Sequence, residues 1–178
     1  MTGLADKILA IHAAFDAVRL PHAFGGALAL AWCTERARGT IDIDVNIFVD
    51  AARARAVIDA LPRQVTTAAS DVEILERDGQ ARLWWDETPI DVFLNTSEFH
   101  EQLAERARLE LFAGVELPFL SCTDLAVFKA FFNRTRDWAD LEDMVAMRTF
   151  DVDRVVGVLT RYLGADDDRV QRLLGLVS

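Results

Sequence analysis

The sequence predicts an α+β fold, a small mixed β-sheet flanked by helices with a helical C-terminal half. Three observations predict it. Alternating and β-branched segments gather between residues 22 and 94. Beyond residue 97, apolar residues recur mostly at helical spacing. No repeat, low-complexity stretch or long linker divides the 178 residues, a length that suits one domain with a sizeable core. A single domain over 1–178 is therefore expected, with its core over about 20–95 and a helical part over about 97–178.

Leu4, Ile8, Ile11, Phe15 and Val18 lie on one helical face, so Leu4–Val18 reads as an amphipathic helix that Pro21 stops. His22-Ala23-Phe24 is a short strand, and Gly25-Gly26 turns it into an apolar helix from Ala27 to about Thr34. Thr40–Val49 alternates in part and is β-branched, hence a strand. Ala51–Leu61 is a helix closed by Pro62. Val72–Leu75 and Ala81–Trp85 flank Asp78-Gly79, a hairpin-turn signal, and Pro89–Leu94 follows as the third strand of a meander. The predicted helices thereafter are Glu98–Arg108, Thr123–Asn133, Asp137–Met147, Asp151–Leu163 and Asp168–Leu176.

Composition narrows the function classes. Hydrophobic residues make up 52% and charged residues 27% of the chain, the balance of a soluble globular protein. Phe24–Cys33 is too short and too glycine-bearing to cross a bilayer. Asp6 and Lys7 interrupt any apolar leader, so a cytoplasmic location is expected. The net charge of −10 disfavours a generic nucleic-acid binder, because phosphate contacts need clustered cations. It leaves room for phosphate handled through metal ions. Arg53, Arg55, Arg63, Arg134 and Arg136 could still form a local basic patch. Cys33 and Cys122 sit in apolar helical contexts and are expected as reduced buried thiols. His12, His22 and His100 are scattered and read as surface or packing residues, His22 standing out weakly because it adjoins the glycine pair.

Four segments could carry chemistry. In Thr40-Ile41-Asp42-Ile43-Asp44-Val45-Asn46, the two aspartates stand at i and i+2 of a strand and share one face, while Ile41, Ile43 and Val45 face the core. Adjacent carboxylates repel unless a cation lies between them, and hard divalent ions take oxygen ligands of this kind. A polar strand face meeting only water is the plainer reading, although Asp is depleted in strands. In Phe24-Gly25-Gly26-Ala27, glycines between strand and helix let backbone N–H groups approach phosphate; a plain tight turn would look the same. Asp91 lies in the otherwise apolar strand Pro89–Phe93, which calls for a metal or a salt-bridge partner. Lys129 sits among apolar helical residues, where it either snorkels to water, the favoured reading, or serves a phosphate. Asp137 and Asp140 share a helix face, Asp137 being read as an N-cap.

Together these segments resemble the nucleotidyltransferase superfamily of the DNA polymerase β fold, and within it the small bacterial branch of abortive-infection toxin nucleotidyltransferases. The carrying residues are Gly25-Gly26, then Arg38-Gly39-Thr40-Ile41-Asp42-Ile43-Asp44, then Asp91, then Lys129 with Asp137-Trp138-Ala139-Asp140. Gly26 stands where the family also uses Ser. The resemblance spans Phe24 to about Met147 and implies a Mg²⁺-dependent enzyme that moves an NMP from an NTP to a hydroxyl. Asp42, Asp44 and Asp91 would be the metal ligands of two Mg²⁺ ions (Mn²⁺ being an alternative), with Asp91 also a base. Gly25, Gly26, Arg38, Thr40 and Lys129 would bind nucleotide, ATP among the NTPs, with Lys129 counted as catalytic and Asp137 and Asp140 as support. The acceptor could be a tRNA end, a protein or a small molecule, and a toxin role would bring a cognate antitoxin. The competing implication is a catalytically weak nucleotide-binding or regulatory module on the same fold.

Overall fold

The computed structural model describes residues 2–36 and 39–177. The chain forms two compact units, Met1–Leu28 with Gly39–Leu120, and Ala29–Arg38 with Ser121–Ser178.

The first unit holds the sheet. Its opening helix α1 (Leu4–Ala17) is capped by Asp6, whose Oδ2 accepts the Gly3 N–H at 3.1 Å, and buries Ile8, Ile11 and Phe15. Strand β1 (His22–Phe24) leads through Gly25 into helix α2 (Gly26–Thr34), as the glycine pair predicts. Strand β2 (Ile43–Asp50) is followed by a 3₁₀ turn and helix α3 (Ala54–Ala60), with Asp50 capping the turn through the Ala52 N–H at 2.8 Å. Then come helix α4 (Ala69–Asp78) and the hairpin of β3 (Gln80–Trp85) and β4 (Thr88–Asn95). A one-turn helix α5 (Glu98–Glu101) precedes a second hairpin, β5 (Arg108–Phe112) and β6 (Val115–Phe119).

Among the described residues the strands make one mixed six-stranded sheet in the order β3-β4-β2-β1-β6-β5. β2 runs parallel to β4, and β1 parallel to β6; the other neighbours are antiparallel. One face is apolar: Ile43, Val45 and Ile47 of β2, Ile90, Val92 and Leu94 of β4, and Ala81, Leu83 and Trp85 of β3 are all buried. Period-two alternation then places Asp44, Asp91 and Arg82 on the opposite face. The buried ammonium of Lys7 fastens α1 to the β3–β4 turn. It donates to the Trp85 carbonyl at 2.8 Å and to Thr88 Oγ1 at 3.0 Å, and pairs with Asp86 at 3.2 Å.

In the second unit, α6 (Cys122–Phe132), α7 (Thr135–Met147), α8 (Val152–Leu163) and α9 (Asp168–Val177) follow the predicted helices within a residue or two. Ser121 and Asp151 cap α6 and α8.

Several expectations are corrected. The meander loses its first strand: Val72–Leu75 belongs to α4. Val72 and Leu75 bury one helical face, Asp71 Oδ2 accepts the Ala68 N–H at 2.7 Å, and Gly79 (φ 68°) closes the helix rather than turning a hairpin. The helix expected over Glu98–Arg108 ends at Glu101, and Arg108–Phe119 is a β-hairpin. Its tight turn is Ala113-Gly114, at φ 49° and 85°. β2 begins at Ile43, so Asp42 stands just before the strand and Ile41 is 73% exposed instead of facing the core. Cys33 and Cys122 form a disulfide, their Cα atoms 5.6 Å apart. The apolar context foretold burial, but the closeness of residues 89 apart in sequence is a tertiary fact. His12 and His22 are not scattered: Nδ1 of one meets Nε2 of the other at 3.0 Å.

Candidate active site on the polar sheet face

The site grows out of the strand register. Asp44 on β2 stands directly beside Asp91 on the parallel β4, and Asp91 stands directly beside Arg82 on β3. Neighbouring strands lie about 4.8 Å apart, so two carboxylates and a guanidinium form one cross-strand row. Asp42, two residues before Asp44, reaches the same group: its Oδ2 is 4.0 Å from Arg82 Nη2. The Arg82 fork grips Asp91 with both arms, Nε to Oδ1 and Nη2 to Oδ2, each at 2.7 Å. That bidentate bond, with the fields of Asp91, Asp42 and Asp44, raises the Arg82 pKa above the usual arginine range, so the group is a permanent cation.

Sequence reasoning missed Arg82, treating it only as one residue of a strand. The available signal was a cation on the polar phase of the strand next to the one carrying Asp91. The salt-bridge reading of Asp91 is met in this structure, by an arginine on the same face as the other acids.

The glycine pair closes one end of the row. The Gly25 N–H donates to the Asp44 carbonyl at 2.9 Å. A Cβ on Gly25 would come within 3.0 Å of the buried Asn46 amide nitrogen. Gly26 is more tightly specified. It sits at φ +52°, and a Cβ there would lie 1.8 Å from Asp44 Oδ2. Both the left-handed backbone and the Asp44 carboxylate therefore favour glycine here. The first-turn N–H groups of α2, without intrahelical acceptors, begin beside that carboxylate.

Thr40 supports Asp42 through its hydroxyl, which lies 3.2 Å from the Asp42 N–H and 3.3 Å from its carbonyl. Arg38, expected to bind nucleotide, lies outside the described residues.

In the second unit, Lys129 does not snorkel. It is 4% exposed and donates to Asp140 Oδ2 at 2.6 Å, with Asp137 Oδ1 at 3.9 Å. Asp137 sits at the third position of α7, not at its N-cap; it accepts the Arg134 N–H at 3.2 Å and the Arg134 Nε at 2.7 Å. Lys129 is a buried cation neutralised by Asp140.

Two observations test whether the row suits a divalent ion. Among the described residues no three His, Cys, Asp or Glu side chains converge as a ready-made metal cage. The donors are nonetheless all hard carboxylate oxygens, and a cation already stands among them, the guanidinium between Asp91 and Asp42. Side chains half open to solvent (Arg82 52%, Asp42 36%) leave that cation exchangeable. Hard carboxylate oxygens are the donor type that Mg²⁺ and Mn²⁺ take.

No family model matches this chain, and no curated protein matches it. Solved structures do. The antibiotic-resistance factor ANT(2'')-Ia in solution aligns over 96% of this chain and 89% of its own, with TM-score 0.55 and 18% identity. A crystal structure of ANT(2'')-Ia with adenylyl-2''-tobramycin aligns over 89% of this chain and 98% of its own, with TM-score 0.60 and 17% identity. An antigenic nucleotidyltransferase-like protein from Paracoccidioides brasiliensis covers 95% of this chain and 85% of its own, at TM-score 0.50 and 13% identity. These likenesses show the nucleotidyltransferase fold, α+β as expected from sequence.

Proposed function

We propose that this chain is a Mg²⁺-dependent nucleotidyltransferase that moves an NMP from an NTP to a hydroxyl acceptor. The observation that carries the reading is the register of Asp44 beside Asp91, with Gly26 pressed against Asp44. A strand pair that sets two acids side by side next to a helix N-terminus brings cation ligands and phosphate-binding N–H groups to one place.

Asp42, Asp44 and Asp91 would hold the divalent ions, which when bound supply charge neutralisation at the triphosphate and at the attacking oxygen. The N–H groups of Gly26 and the first turn of α2 are placed to bind phosphate oxygens. Gly26 also fixes the position of Asp44, since no side chain at position 26 competes for its space. Asp91 is the residue to accept the proton of the acceptor hydroxyl, because one of its oxygens can keep a partner while the other turns to substrate. Thr40 keeps Asp42 in place through the backbone. We assign Lys129, Asp137 and Asp140 to maintaining the second unit, and treat both units as one nucleotidyltransferase-like domain.

For the acceptor we favour a cationic small molecule. One neighbour is named in complex with adenylyl-2''-tobramycin, and a net charge of −10 attracts a polyamine-like acceptor while repelling tRNA. The toxin role, with an antitoxin partner, rests on the sequence resemblance alone. Incubation with each α-labelled NTP and separate pools of aminoglycosides, tRNA and protein tests the acceptor class. Label transferred to an aminoglycoside supports the reading; label on tRNA alone overturns the acceptor choice; ATP bound with no turnover in any pool selects the nucleotide-binding module.

A further inference from the structure

The guanidinium of Arg82 stands where the proposed chemistry wants a metal ion. It takes both oxygens of Asp91 at 2.7 Å, approaches Asp42 at 4.0 Å, and lies within the field of Asp44. Carboxylates side by side on one sheet face repel one another without a cation, and Arg82 supplies one to Asp91 and Asp42. The same bond obstructs loading. A divalent ion that joins Asp91 comes up against a fixed positive charge, and either Arg82 leaves or the ion binds weakly.

Leaving is easy. Arg82 is 52% exposed and pairs with Asp91 and, at 4.0 Å, with Asp42. The guanidinium is the exposed partner of the pair, its Asp91 carboxylate being 19% exposed. Once displaced, a permanent cation beside an acidic site needs an anion. The anion that arrives with the metal is the triphosphate, and a planar guanidinium fits phosphate oxygens as well as it fits a carboxylate.

We propose that Arg82 is a nucleotide-binding residue held in reserve: Asp91 binds it in the metal-free protein, and metal loading releases it to the triphosphate. The proposal rests on the metal-site reading of Asp42, Asp44 and Asp91. It predicts effects of opposite sign for one substitution. Arg82→Gln removes the competitor and the phosphate ligand together. Binding of Mn²⁺ alone should then tighten about tenfold, because a like charge is gone from the site. Binding of ATP to the Mn²⁺-saturated protein should weaken about tenfold, because a charge-assisted bidentate contact is lost.

The experiment is Mn²⁺ titration followed by electron paramagnetic resonance on the full chain, then ATP titration at saturating Mn²⁺ by calorimetry. It compares the parent, Arg82→Gln, Arg82→Lys and Asp44→Asn, each first checked for folding by circular dichroism. Tighter Mn²⁺ with weaker ATP in Arg82→Gln, and parental values partly restored in Arg82→Lys, supports the proposal. A purely structural Arg82 would weaken both affinities when replaced. That outcome overturns the proposal, as does Mn²⁺ binding unchanged from the parent. Should Arg82→Gln not fold, Arg82→Lys carries the test: its single point charge should tighten Mn²⁺ and weaken ATP as predicted for Arg82→Gln, each by less, and a weakening of both overturns the proposal. Asp44→Asn separates the two levels of argument. If it loses Mn²⁺, the metal site stands whatever Arg82 does; if it binds Mn²⁺ like the parent, the metal-site reading itself fails.

Discussion

Replacing Gly26 with alanine perturbs the candidate site by one carbon atom. Two costs follow. A left-handed φ of +52° costs a residue with a Cβ about 1–2 kcal/mol. The new Cβ would also sit 1.8 Å from Asp44 Oδ2 and 2.5 Å from its Cγ, where real contacts essentially never fall under 3.0 Å. The carboxylate must retreat by about 1 Å or more, and pushing it off its rotamer adds about 0.5–1.5 kcal/mol. The total is about 1.5–3.5 kcal/mol of folding stability, read as a lower urea midpoint. The functional loss should be larger, since a misplacement of about 1 Å at a catalytic group costs on the order of 100-fold in rate. A double-mutant cycle isolates the cause. In an Asp44→Ala background the oxygens and Cγ are gone, leaving the left-handed cost of about 1–2 kcal/mol and a tight 3.0 Å contact with the Cβ at position 44. Equal destabilisation by Gly26→Ala in both backgrounds would refute the idea that Asp44 is what excludes a side chain at position 26.

Two further outcomes follow from buried charge. Asp140→Ala leaves the Lys129 ammonium, 4% exposed, without its 2.6 Å partner, and should cost about 3–5 kcal/mol in urea denaturation, whereas Lys129→Met with Asp140→Leu should restore most of it. Equal loss in the double variant would show that packing, not charge, is at stake. His22 is buried, which lowers its pKa despite the Leu20 carbonyl that accepts from Nδ1 at 2.8 Å. Its neutral form is therefore favoured in the fold. The contribution is fully present above the ordinary value of 6.5 and is lost as pH falls below it toward the lowered value, by at most about 1.4 kcal/mol per pH unit. Urea midpoints at pH 7.5 and 5.5 should differ less in His22→Gln than in the parent, with some slope remaining from His100, whose pKa burial also lowers. An unchanged slope would remove His22 from the account.

The parts of the site legible in the sequence were those whose residue types are conspicuous out of place. Asp42 and Asp44 broke a β-branched segment, Asp91 broke an apolar one, and Gly25-Gly26 stood between strand and helix. Arg82 was not legible, because an arginine on the polar phase of a strand is ordinary until the register sets it beside Asp91. α4 was misread for a related reason. Val72-Glu73-Ile74-Leu75 suits either a strand or a helix, and the residues that settle it, Asp71 at the helix start and Gly79 at its end, act through capping geometry. The β5–β6 hairpin hid because Leu109, Leu111 and Val115 are exposed, so burial imposes no clean alternation there. The burial of Lys129 was not legible because its partner Asp140 lies eleven residues away, on another helix.

The most direct test of the central claim compares ATP labelled at the α-phosphate with ATP labelled at the γ-phosphate, with Mg²⁺, an aminoglycoside acceptor, and the parent, Asp44→Asn and Asp91→Asn proteins. The account predicts that α-label joins the acceptor and γ-label leaves as pyrophosphate, that chelation stops both, and that Asp44→Asn abolishes transfer. Asp91→Asn should lower turnover more than ATP affinity, because a base acts chiefly in the transition state. Transfer by Asp44→Asn at the parental rate, or γ-label on the acceptor, would contradict it.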